Sequence, residues 1–519
     1  MRTRLAISIL VLSALAAVTV GTIGASGHPA RRAASTPKRG GTVTIARQED
    51  TESFDKTNVF QNESIWLLEQ INETLYTVTP DGRSVKPWLA TGVKVSNGGK
   101  RYTFTLRKGV RFSNGQPMAA ADVKFSIDDA RAQKKGWGYI DSAIKNVQAP
   151  NKSTAVINLK YPWAPFLADI ALFANGIIPK NFAGQTRVEF YKHPIGTGPF
   201  MYDSRVVGQS VTFKRNPNYW QKGKPYLDSV KWTFVSDQNT RELQLRGGQI
   251  QVDEFPAYNS VKKLQSTPGV KMFLFPSTRT DYMLMNESYA PLKDVHVRRA
   301  ISYMVDRAAI AKAILFGFGK PANSFMPPQV PFYDPHSPGI QYDPKKAKAE
   351  MAKSKYKNGF DVEMTVGAGA SDENAIAQVV QQALKSLKIN VKFRQVDTST
   401  EFSQLQQGKY QLGFSYWTMD IADPDELVTF AVDPKGGGAN SFFTGYTNPK
   451  IIKLTHQAQR TTNRAQRQSL YSQIQRIAAQ DAFMGFLFYS PFRYATSDKV
   501  HGFFVYPLGN YHMEDVWVS

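Results

Sequence analysis

Apolar and polar side chains alternate from Tyr102 to Leu106, with Tyr102, Phe104 and Leu106 on one face and Thr103 and Thr105 on the other. That period of two predicts a strand. Lys108-Gly109 turns the chain, Ser113-Asn114-Gly115 makes a second turn, and Pro117 has no N–H with which to continue a ladder. From Ala119 the period becomes helical, with Val123, Ile127 and Ala130 on one stripe. The two periods then exchange along most of the chain. Strands are predicted at 42–45, 155–159 and 211–214, a helix at 64–75, a tight turn at 196–200, and a loop leading into a strand across 222–235. Residues 282–286 predict another strand. Val297, Ala300, Ile301, Met304, Val305, Ala308, Ile314 and Leu315 then predict one long helix that Gly317 and Gly319 end. A helix predicted at 372–387 is followed at once by a strand at 389–393, the α/β idiom. A further strand is predicted at 410–417, and Gly436-Gly437-Gly438 predicts a mobile loop. No internal repeat is visible.

Length and termini frame this α/β pattern. At 519 residues the chain has room for two large domains or about three ordinary ones, and 42% apolar residues can fill a sizeable core. Arg2 and Arg4 precede an uncharged run over 5–27 whose apolar centre gives way to Ala25, Ser26 and Gly27. This is the layout of a secretory signal peptide over 1–27, with an uncleaved membrane anchor as the alternative. Either reading takes the body of the protein out of the cytoplasm. Residues 28–39 are small, basic and Pro-containing, a flexible leader.

The net charge is +22. The basic residues are scattered, and the densest groups, such as Lys345-Lys346-Lys348 and Lys353-Lys355-Lys357, do not alternate with aromatics. They predict a solvated surface, not a nucleic-acid platform; weak attraction to an anionic envelope is the secondary reading. There is no cysteine, which excludes disulfides, thiolate metal sites, cysteine nucleophiles and attachment as a bacterial lipoprotein. The G-x-S-x-G, H-E-x-x-H, Walker A and EF-hand patterns are absent, and no two of the seven histidines stand four apart. No catalytic residue, cofactor or metal is predicted.

Literal strings add what periodicity cannot. Leu106-Arg107-Lys108-Gly109-Val110, with Phe112, Gly115, Pro117, Ala120, Asp122 and Val123, resembles a signature of the bacterial solute-binding proteins that serve oligopeptide, dipeptide and nickel ABC importers, extracellular family 5. Arg39-Gly40-Gly41-Thr42, Glu73-Thr74-Leu75-Tyr76, Gly196-Thr197-Gly198-Pro199-Phe200, Asn216-Pro217-Asn218-Tyr219-Trp220, Val305-Asp306-Arg307 and Tyr342-Asp343-Pro344 are similar to further family strings, in the family's order. Ala119 stands where relatives usually carry Thr, so a weaker helix cap is expected.

The resemblance implies a two-lobed periplasmic-binding-protein fold of type II, with an extra subdomain in lobe 1 and two crossing hinge segments. Lobe 1 would comprise 40–277 and a return segment 490–519, and lobe 2 would comprise 278–489. The crossings are expected near 275–281 and 489–494, with ligand gripped in the cleft by hinge closure.

The best candidate site is Tyr416-Trp417-Thr418-Met419-Asp420, after a strand whose C-terminal end would face the cleft. In peptide-binding relatives the Asp three residues after the Trp pairs with the peptide's α-ammonium, which the resemblance carries to Asp420. A loop cap or hinge ion pair is the alternative for Asp420, and core packing the alternative for Trp417. Asp423-Pro424 reads as a turn, and Arg279 and Asp281 as hinge supports. The basic residue that would hold a ligand carboxylate has no assigned position. The expectation is therefore a non-enzymatic, monomeric receptor delivering a small solute, most simply a peptide, to an ABC permease. The alternative from another class is a secreted hydrolase or carbohydrate-active protein, which requires carboxylates paired across the cleft.

Overall fold

Strand Thr42–Arg47 buries Val43, Ile45, Ala46 and Arg47, so it is covered on both faces. A strand of that kind belongs at the centre of a sheet with parallel neighbours. It pairs in parallel with Ser229–Phe234 on one side and Val252–Glu254 on the other. The full sheet has seven strands in the order Val270–Phe275, Phe492–Ser497, Val252–Glu254, Thr42–Arg47, Ser229–Phe234, Ser210–Arg215, Phe200–Val206. A six-stranded sheet runs Lys320–Pro321, Met484–Tyr489, Thr280–Met285, Leu412–Trp417, Phe360–Gly367, Ile389–Val396. This computed structural model describes residues 36–133, 136–433 and 441–519. The predicted export segment 1–27, the leader up to residue 35 and the glycine run 436–438 lie outside them.

The chain passes between the sheets twice. Val270–Phe275 pairs in the seven-stranded sheet and Thr280–Met285 in the six-stranded one. Met484–Tyr489 and Phe492–Ser497 repeat the exchange in reverse. These are the two crossing segments expected of the two-lobed fold. A separate four-stranded antiparallel sheet, Ala90–Ser96, Arg101–Leu106, Thr154–Leu159, Ile144–Asn151, carries helix Ala120–Ala132 and has its own core around Phe104, Val123, Ile127 and Ile157. It is the additional subdomain. Ala119 supplies no side-chain acceptor, and half a capping box remains, in which Ala119 N–H donates to Asp122 Oδ2 at 2.7 Å.

The long helix expected across 297–315 is two helices, Val295–Met304 and Arg307–Ala313. Asp306 breaks it: its Oδ1 accepts the N–H of Ala309 at 2.9 Å and caps the second helix. Such a cap is worth about 1 kcal/mol. Buried Arg307 then fixes the new helix to the sheet by donating to the carbonyls of Ala322 and Phe486 at 2.7 and 3.1 Å. Apolar periodicity runs through this break, because the stripe is kept while the axis changes.

The Gly196-Thr197-Gly198 turn has a steric cause. A Cβ on Gly196 would lie 2.0 Å from the carbonyl oxygen of Ile71, and one on Gly198 would lie 2.5 Å from that of Gln70. Both carbonyls belong to the last turn of helix Asn62–Ile71, and Gly198 N–H donates to Ile71 O at 2.7 Å. Only glycine permits this approach. We expect Gly196→Ala to lower stability by about 2 kcal/mol in urea unfolding, the usual cost of forcing atoms into a packed contact. An unchanged midpoint with an unchanged slope would show that the approach is dispensable.

Candidate ligand-binding cleft

Three strand-to-helix connections bring carboxylates to one place. Thr42–Arg47 runs out into Glu49, and helix Asn62–Ile71 has Glu63 in its first turn. Phe360–Gly367 leads to helix Ser371–Leu384, with Asp372 and Glu373 in the first turn. Its parallel neighbour Ile389–Val396 leads to helix Thr398–Gln406, with Glu401 in the first turn. Parallel strands followed by helices put the helix N-termini on one edge of the sheet, the ligand edge of α/β proteins. The positive end of each helix favours an acid there.

These residues line a cavity of about 180 Å³ between the two sheets, together with Arg279, Tyr416 and Arg493 from the crossing region. Seven acidic side chains line it against two arginines. Three of the acids have cationic partners. Asp281 takes Arg279 at 2.6 Å, Glu254 takes Arg47 at 2.9 Å, and Asp372 faces Arg493 at 3.5 Å. Glu49, Glu63, Glu373 and Glu401 form no ion pair among the described residues. Burial pushes all four above the usual carboxyl range; the charge of Glu63 adds to the effect on Glu49, and that of Glu373 to the effect on Glu401.

A second cavity of about 50 Å³ adjoins the first through Glu49, Glu63, Ser415 and Tyr416, which line both. The four residues picked out from sequence meet here: Trp417, Thr418 and Asp420 line the smaller cavity, and Tyr416 stands between the two. The ring of Tyr416 lies 3.6 Å from the guanidinium of Arg279. Thr418 Oγ1 donates across the cleft to Asn62 Oδ1 at 3.2 Å. Trp417 packs against Phe430, ring centroids 4.5 Å apart, and donates its indole N–H to Glu426 Oε1 at 3.2 Å. Phe430 in turn stacks on Trp137 at 6.0 Å with the rings 2° from parallel.

Glu426 organises the loop. Fully buried, it accepts the N–H groups of Asp420 and Ile421 at 2.9 and 3.0 Å as well as the Trp417 indole. The Asp420 side chain also hydrogen-bonds to Glu426, so the two carboxyls share a proton. Burial pushes Asp420 up to about 7. Asp420 has no cationic partner among the described residues, and its side chain remains partly open to the cavity. Asp423 is more than the turn expected from sequence. It holds Arg467 through two bonds of 2.7 and 2.8 Å and accepts the N–H of Asp425 at 3.0 Å. No carboxylates of this loop oppose each other across the cleft in the arrangement glycoside hydrolysis needs; Asp420 pairs with Glu426 six residues on, and Asp423 is neutralised locally.

Several bonds tie one side of the cleft to the other. Besides Thr418 to Asn62, Ser371 Oγ donates to Gln238 Oε1 at 2.6 Å, and the N–H of Tyr258 donates to Asp372 Oδ2 at 3.4 Å. Arg279 and Asp281, read from sequence as hinge supports, are a bonded pair at the first crossing, and they also line the cavity. Glu63, Glu373 and Glu401 were not identified from sequence. Their signal is a Glu in the first turn of a helix that follows a cleft-facing strand.

Residues 84–439 match the family of bacterial extracellular solute-binding proteins, family 5. The probable D,D-dipeptide-binding periplasmic protein of Escherichia coli is 30% identical over 481 residues, 90% of this chain and 92% of that protein. The glutathione-binding protein of Shigella flexneri is 27% identical, over 83% of this chain and 86% of its own. The oligopeptide-binding protein AppA of Bacillus subtilis, solved with a nonapeptide, superposes with a TM-score of 0.86 at 26% identity, over 93% of this chain and all of that one. The peptide-bound periplasmic binding protein DppA of Helicobacter pylori gives 0.85 at 26% identity, over 93% and 98%. The family and these relatives are binding proteins, and those of Escherichia coli and Helicobacter pylori are periplasmic. Fold, cleft and matched sequence agree: the chain belongs to the bacterial extracellular solute-binding proteins of family 5, the substrate-binding components of ABC importers.

Proposed function

We propose that this protein is an extracytoplasmic receptor that captures a short peptide between its lobes and hands it intact to an ABC permease. The observation that carries the reading is Asp420, a desolvated carboxyl on the cleft wall with no cationic partner among the described residues. A peptide α-ammonium supplies the missing charge and donors, and a charge-assisted hydrogen bond of this kind is worth roughly 1.5–3 kcal/mol. The relatives support the ligand class, since their names specify D,D-dipeptides, glutathione and a bound nonapeptide. Tyr416, Trp417 and Thr418 shape the wall beside Asp420.

The lobes are taken as 40–277 with 490–519, and 278–489, closing about the crossings. Ligand that touches both lobes stabilises the closed form, which docks on the permease. The chain acts as a monomer, without catalysis, and is exported by its N-terminal segment. Having no cysteine, it is not lipid-anchored through one.

In calorimetry, Asp420→Asn is expected to weaken binding of a free dipeptide at least about tenfold, and N-acetylation of the peptide to weaken binding to the wild type by a similar factor. Equal affinity of acetylated and free peptides would remove Asp420 from ammonium binding.

The same carboxyl makes a stability prediction. Its folded pKa, about 7, stands above the ordinary 3.8, so the folded state holds more protons than the unfolded state between those values. Stability of the ligand-free protein therefore falls as pH rises from about 4 to about 7 on account of this group. Urea midpoints should be higher at pH 5 than at pH 7.5, and Asp420→Asn should flatten that difference. A midpoint that rises across the same interval in the wild type and is unaltered in the variant would contradict the shared proton.

A further inference from the structure

The larger cavity holds more carboxyl groups than an α-ammonium explains. Glu373 accepts the N–H of Gly367 at 3.1 Å through Oε1, and Glu49 accepts the side-chain N–H of Gln61 at 2.9 Å. Glu401 is 6% exposed, lines the cavity, and its carboxyl hydrogen-bonds to that of Glu373, a pair of acids held together by a shared proton. Oε1 of Glu254 on the opposite wall has no partner among the described residues, at 1% exposure, although its other oxygen takes Arg47. The site thus sets two acids against each other on one wall and leaves an acceptor without a donor on the other.

An organic cation suits this site better than a metal ion or a neutral donor. Among the described residues no set of three or more His, Asp or Glu side chains converges closely enough to hold a metal ion. A neutral donor would satisfy an oxygen but add no positive charge beside Glu49, Glu373 and Glu401, whose repulsion the shared proton of the Glu373–Glu401 pair relieves only in part. An alkylammonium brings three N–H donors and one positive charge, and a guanidinium brings five donors. The protein's net charge of +22 does not oppose this at short range, because surface charge is screened over about 8 Å in physiological salt whereas the cavity charges are not.

We infer that the cavity lined by Glu49, Glu373 and Glu401 is a second cation subsite, and that the captured peptide carries a basic side chain, a lysine-like ammonium or an arginine-like guanidinium, beside its α-ammonium. The inference rests on the peptide reading above and narrows it. The α-ammonium occupies the smaller cavity at Asp420, and the basic side chain reaches the larger one past Glu49, Glu63 and Tyr416, which border both.

The test is calorimetry on the full chain with four dipeptides, Lys-Ala, Ala-Lys and their norleucine counterparts, which keep the length of the side chain and delete its charge. At least one lysine peptide should bind about tenfold or more tightly than its norleucine counterpart. In E401Q, and more so in E373Q/E401Q, that advantage should shrink to about twofold or less. Because the wild-type comparison needs no variant, a variant that fails to fold does not rescue the inference. Equal affinity of lysine and norleucine peptides for the wild type would overturn the second subsite and leave the peptide reading standing. Failure of all four to bind would overturn the peptide reading, and this inference with it.

Discussion

Burial of carboxyl groups between two closing lobes is the constraint on which the rest of this structure depends. Moving a carboxylate out of water costs several kcal/mol, and the cost is met in only a few ways: a cation, a set of N–H donors, or a shared proton. This protein uses the three in different places. Asp423 takes the guanidinium of Arg467, Asp253 that of Arg241, and Glu254 that of Arg47, each pair nearly or fully buried. Glu426 takes N–H donors from its own loop. Glu49, Glu373, Glu401 and Asp420 have neither solution complete, and all four face the cleft.

This division separates framework from site. Arg47 shows the framework role, since its guanidinium donates to the carbonyl of Glu63, to Glu254 and to the hydroxyl of Tyr511, which joins the first strand, the first long helix and the C-terminal segment. Removing one partner of such a pair strands a buried charge and costs about 3–5 kcal/mol, whereas forming the pair adds little net stability. The pairs therefore pin geometry. The unpaired carboxyls are held in equally defined positions by helix N-termini and by their loops, so they are organised before a ligand arrives, which lowers the ordering cost of binding. Hinge closure then turns a differential affinity into a change of shape, because the ligand completes contacts that exist only when both lobes are present.

Much of this was legible in the sequence, and the gaps have physical causes. Strand 102–106 and its following helix were readable because one face of each is buried, and burial imposes a period. The break at Asp306 was not, because a cap is a single hydrogen bond that leaves the apolar stripe intact. The G-T-G-P string was recognisable as a motif, yet its cause, the approach of two helix carbonyls, is a long-range contact. Tyr416, Trp417, Thr418 and Asp420 could be picked out together because they lie at a single strand end and one family string carries the Asp. Glu49, Glu63, Glu373 and Glu401 come from three separate connections, and only the assembled cleft brings them together.

The central claim is that buried cleft carboxyls hold shared protons until a ligand cation replaces them. Calorimetry of ligand binding at pH 7 in buffers of different ionisation enthalpy measures that exchange directly, because protons that leave the protein are taken up by the buffer. The account predicts net proton release when an ammonium-bearing peptide binds, with the observed enthalpy changing in proportion to the buffer's ionisation enthalpy. Binding with no proton exchange, or with proton uptake, would contradict it.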